Sequence, residues 1–160
     1  MVKKINFFKL LVSILLCQFV GAIDSVFTAT SLENWYPLLQ KPTFSPPSWL
    51  FFPVWVTLFT LMGISFYLVW EKGLQKEGVK VAMLIFCVQL ILNALWSFIF
   101  FGLQSPYYAF IEIILLWLAI FLTIVKFMKI SKTASYLLLP YILWVSFAML
   151  LNYYLWILNP

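Results

Sequence analysis

The stretch Asn34–Trp70, NWYPLLQKPTFSPPSWLFFPVWVTLFTLMGISFYLVW, decides the fold. A proline-rich segment closes at Pro46-Pro47, and an apolar run free of charge follows. That run is about 23 residues long, the length a helix needs to cross a hydrocarbon core roughly 30 Å thick. Pro46-Pro47 suits the first helical turn, where a missing N–H costs no hydrogen bond. Pro53, one turn later, predicts a local kink. Trp49 and Trp70 mark the two ends and suit the interfacial belt, whereas Trp55 falls well inside the run.

Outward from this stretch the chain repeats the pattern four times. Spans are predicted at 7–27, 47–70, 79–101, 106–127 and 133–157, with Pro140 as a second kink site. Of the 160 residues, 65% are hydrophobic and 9% charged, against about half and about a quarter in soluble domains. The fold class is therefore all-α, an integral membrane bundle of five transmembrane helices forming one domain over 1–160. Membrane strands would be about half as long and would alternate in polarity. The start, MVKKINFFKLL, mimics a signal peptide, but the apolar run from Phe7 is long for one and no clean small-x-small site follows. It reads as the first span, where Gly21 and Ser25 form a small-xxx-small pair able to seat a neighbouring helix.

Charge sets the expected orientation. Lys3, Lys4, Lys9, Lys72, Lys76, Lys80, Lys126, Lys129 and Lys132 all fall on the side of the N-terminus, and Lys41 alone on the other. This places the N-terminus in the cytoplasm and the first loop outside. Lysines scattered between spans do not make a nucleic-acid groove. The chain has no His and two Cys. That argues against a zinc site and excludes His-ligated haem and a Ser-His-Asp triad. Cys17 and Cys87, both inside spans, read as small buried hydrophobes. No phosphate-cradling glycine loop occurs, so no metal and no obligatory cofactor are expected.

The first loop, 28–45, is about 18 residues, a length that is usually functional or disordered. Trp35, Tyr36 and Phe44, stiffened by Pro37 and Pro42, favour a packed lid; the other reading is an interfacial loop with its rings among lipid headgroups.

Polar groups deep in a span are costly and therefore informative. Trp55, Asn93, Glu112 and Asn152, on four different helices, all fall roughly 8–13 Å below the loop-one end. Gln89, Asn93, Trp96 and Phe100 share one stripe of span three, and Tyr141, Trp144, Ala148 and Asn152 one stripe of span five. Large rings alternating with Ala148 leave room for a flat, apolar guest. The competing reading is helix–helix packing, with the Asn residues as interhelical glue.

The segments WYPLLQKPTFSPPSW, PVWVTLFTLMGISFYLVW, NALWSFIFFG and PYILWVSFAMLLNYYLW resemble the TspO/MBR family of tryptophan-rich sensory proteins and translocator proteins. The resemblance spans 21–159. It implies a five-helix bundle whose ligand pocket is roofed by the first loop, binding of porphyrins such as protoporphyrin IX and haem, and a homodimer in a bacterial cell membrane. In some members it implies light- and oxygen-dependent breakdown of protoporphyrin. By motif, Trp55 and Trp144 fall on the two rings tied to that breakdown. Tyr36, Asn93, Trp96, Tyr108, Ala148 and Asn152 fall on pocket positions, and Glu112 stands where many members have Asp. Phe44 replaces the usual Trp of the KPxWxPP motif, so the lid is expected to seat differently. Tyr153 has no base following it, so sterol recognition of the animal kind is not expected. The function implied is a membrane tetrapyrrole-binding sensor or transporter, or alternatively an enzyme-like porphyrin degrader.

Overall fold

The computed structural model describes residues 5–160. It is all-helical, with five segments long and apolar enough to cross a membrane: Phe7–Asn34, Ser48–Trp70, Val79–Gly102, Pro106–Met128 and Lys132–Leu158. The protein is an integral membrane protein with five spans.

Helix α1, Phe7–Asn34, starts at Asn6, whose side chain accepts from the Lys9 amide. The Asn6 amide in turn donates to the Tyr67 hydroxyl of α2 at 3.2 Å. The expected end at residue 27 is corrected: α1 runs seven residues further. The polar residues that suggested a loop are absorbed as helix instead. Thr28 Oγ donates back to the Asp24 carbonyl at 2.7 Å, and Ser31 Oγ donates across to the Phe101 carbonyl at 2.6 Å. Nothing between Gly21 and Pro37 breaks the helix, and the residue before a proline disfavours its continuation. The connection to the second span is correspondingly shorter, and it contains a 3₁₀ turn at Tyr36–Leu38.

The second span opens with a 3₁₀ turn, Ser48–Leu50, and continues as α2, Phe51–Trp70. Pro46 and Pro47 thus precede the helix; Pro47 is extended, at φ −64° and ψ 144°. Pro53 is the third residue of α2, where amides lack intrahelical acceptors, so the cause of the expected kink is removed. Helix α2 lies against α1 through two glycines. A Cβ on Gly63 would come within 2.6 Å of the Ile14 Cα, and one on Gly21 within 2.7 Å of the Phe59 ring.

Helix α3, Val79–Ser97, ends in a π-turn over Phe98–Gly102, closed by the Leu103 amide on the Phe98 carbonyl at 2.8 Å. Helix α4, Pro106–Met128, has its proline at the start, where it fits. The fifth span is broken: α5, Lys132–Tyr136, a turn, then α6, Leu139–Leu158. Pro140 explains the break, because its ring would meet the Tyr136 carbonyl in a continuous helix.

The bundle has two cores. Phe66, Phe86, Phe127, Met62, Val69 and Val79 fill the half towards the lysine-bearing connections. A smaller cluster of Tyr36, Phe100, Phe101, Ala109, Leu151 and Leu155 lies at the loop-one end.

Candidate functional site

Between these cores lies a cavity of about 430 Å³. Small-molecule pockets run from roughly 300 to 1,000 Å³. Its walls come from α1, α2, α3 and α6, with Tyr36 from the first connection.

Seven of the nine residues singled out from sequence meet there: Tyr36, Trp55, Asn93, Trp96, Trp144, Ala148 and Asn152. Trp55 is held by Phe59 at 5.6 Å and Tyr141 at 6.3 Å, and Trp144 by Phe51 at 6.3 Å and Phe147 at 5.6 Å. Trp96 is anchored by polarity as well as by rings. It stacks on Phe100 at 5.2 Å, and its Nε1 donates to Asn152 Oδ1 at 3.1 Å. Asn152 Nδ2 donates to the Pro106 carbonyl at 2.7 Å, so the amide expected to face a guest ties α3 to α4 instead. Asn93 is 1% exposed. Its Nδ2 donates to the Tyr141 hydroxyl at 3.0 Å, which donates to Gln89 Oε1 at 2.9 Å. The interhelical-glue reading thus holds for both Asn residues, and both also border the cavity.

Glu112 and Tyr108 do not line it. Both sit on α4, which contributes no described residue to the wall. Tyr108 is 63% exposed beside Tyr107, and Glu112 is 5% exposed with neither carboxyl oxygen hydrogen-bonded. Equal depth did not mean a shared direction. Trp117, also on α4, donates to Ser146 Oγ at 2.8 Å.

The first connection packs against the bundle end and gives one residue, Tyr36, to the cavity wall. Tyr36 is buried against Phe51 at 6.0 Å and Phe101 at 6.3 Å. Burial pushes its phenol above the ordinary value, and its hydroxyl is enclosed without a hydrogen-bond partner. Lys41 Nζ sits 4.9 Å over the Tyr36 ring and donates to the Pro37 and Leu39 carbonyls, each at 3.2 Å. Phe44 packs on Tyr154 at 5.4 Å and Phe147 at 6.2 Å. Asn159 clasps the segment from α6: its Oδ1 accepts from the Gln40 amide at 2.9 Å, and its Nδ2 donates to the Gln40 carbonyl at 3.0 Å.

Sequence reasoning missed the α1 wall. Gln18, Gly21, Asp24, Ser25 and Thr28 all line the cavity. Their spacing of three and four residues was the available signal; Gly21 and Ser25 were read instead as a seat for a neighbouring helix, and only Thr28 fell beyond the predicted span.

Five candidate membrane spans with an aromatic-lined cavity among them define an all-helical integral membrane protein. Comparison with known proteins agrees with that class and narrows it. The TspO/MBR family model matches residues 13–157, and the chain belongs to this family. It is 46% identical to the tryptophan-rich protein TspO of Chlorobaculum tepidum, over 91% of this chain and 92% of that protein. It is also 46% identical to the protein of the same name from Archaeoglobus fulgidus, over 96% and 99%. Against the translocator protein of Homo sapiens it is 41% identical over 77% and 73%.

Proposed function

We propose that the chain binds a tetrapyrrole, protoporphyrin IX or haem, in the roofed cavity and serves as a membrane sensor or transporter for it. The observation that carries this reading is the convergence of Trp55, Trp96 and Trp144, from three helices, on one apolar space of about 430 Å³. Indole faces offer a flat macrocycle stacking area that polar groups cannot. Tyr36 from above completes an aromatic lining. With its lysines inside, the protein would sit in a bacterial cell membrane with the N-terminus cytoplasmic and the roof outward, as a homodimer and without a metal or resident cofactor. Quenching of tryptophan emission by protoporphyrin IX in detergent micelles tests the reading. The variant Trp55→Ala/Trp144→Ala is expected to lose about tenfold or more in affinity; unchanged affinity would sink it.

A second reading, light- and oxygen-dependent porphyrin breakdown, is favoured by how the indoles are held. Trp96 is tied through its N–H to Asn152, whereas Trp55 and Trp144 are held by ring contacts. Those two would be the catalytic residues, relaying oxidation without acid–base groups. Illumination in air should then yield a new absorbing product that requires both tryptophans. Bleaching at the rate of free porphyrin would leave the protein a binder.

A further inference from the structure

Asp24 is the one acidic side chain among the described residues of the cavity wall. Its Oδ1 is enclosed by protein and meets no hydrogen-bond donor. The neighbouring hydroxyls do not serve it. Thr28 and Ser97 direct theirs at the Asp24 backbone carbonyl, at 2.7 and 3.4 Å, and lie 3.2 Å from one another. No lysine is among the described residues of the wall; Lys41 belongs to the roof, above the Tyr36 ring. The cavity therefore has an uncompensated carboxyl acceptor on its α1 side and no lysine among the described residues of its wall. Asp24 as a whole is half-buried; a carboxyl group in an apolar wall without a donor costs free energy, and a guest that brings a donor to its accessible part offsets that cost.

We infer that Asp24 is the specificity-determining residue of the cavity, taking guests that present an ammonium or N–H donor to α1 and turning carboxylate-bearing edges away. The inference rests on the reading of this cavity as the ligand site. For a tetrapyrrole it fixes orientation: the edge without propionates faces α1, and the propionates face away from it.

Three pyrene probes test it on the detergent-solubilised full chain: 1-pyrenemethylamine, 1-pyrenemethanol and 1-pyrenecarboxylate, read by energy transfer from tryptophan. The native protein is expected to bind the amine about tenfold or more tighter than the carboxylate, with the alcohol between. Asp24→Asn should bring the three to about equal affinity, and Asp24→Glu should restore their order. Protoporphyrin IX quenching is read on the native protein in the same preparation, so that the tetrapyrrole reading is tested separately. A native protein without preference for the amine, or the same order of affinities in Asp24→Asn, would overturn the inference. Absence of protoporphyrin quenching together with an intact, Asp24-dependent amine preference would uphold it and remove the tetrapyrrole reading alone.

Discussion

The two halves of the bundle solve opposite packing problems. Towards the lysine-bearing connections, rings close on rings: Phe86 lies 4.9 Å from Phe66 and is stacked 5.7 Å from Phe127, with Met62, Val69 and Val79 filling in. Towards the loop-one end, comparable aromatic mass stands around a space. What keeps that space open is polar carpentry: Trp96 to Asn152 to Pro106, and Asn93 to Tyr141 to Gln89. Each bond fixes the direction of a side chain in the wall or directly behind it. One half thus sets stability and the other the shape of the cavity.

Substitutions can break this division or sharpen it. The largest effect is expected for Phe86→Ala, which removes a fully buried ring between two others. A loss of about 3–5 kcal/mol is anticipated, seen as a large fall in Tm in detergent, with the folded fraction binding ligand normally. Reduced affinity in that folded fraction would show that the halves are coupled. Next comes Asn159→Ala, which deletes both bonds to Gln40. About 1 kcal/mol per bond is at stake, confined to the roof. Hydrogen exchange at the Gln40 amide and ligand dissociation should both accelerate while Tm barely moves. A fall in Tm as deep as that of Phe86→Ala would mean the roof is part of the folding core. The smallest effect belongs to Lys9→Met. The Lys9–Glu71 pair, at 3.6 Å, is about a quarter exposed at each partner, and such pairs contribute roughly 0–1 kcal/mol. Its loss should leave both stability and binding within error.

The same contrast explains what was legible in the sequence. The spans followed from hydropathy, because every turn of α2, α3 and α4 is apolar. The end of α1 did not, because Thr28 and Ser31 look like loop residues until their hydroxyls find carbonyl acceptors within and beyond the helix. Depth counting brought Trp55, Asn93 and Asn152 together correctly, since rise per residue is fixed along any helix. It failed for Glu112, since depth carries no azimuth and α4 turns that side chain into packing. Tyr108, put forward by resemblance alone, points outward. Asp24 was passed over because, with α1 cut short, it stood near a loop rather than in the wall of a cavity.

The clasp between Gln40 and Asn159 joins positions 119 residues apart. It therefore gives the cavity a birthday in the life of the polypeptide. Helix α6 supplies Trp144, Ala148 and Asn152 to the wall and Asn159 to the first connection, so the first four spans alone leave that wall open. The wall is complete only once the final helix has joined the other four.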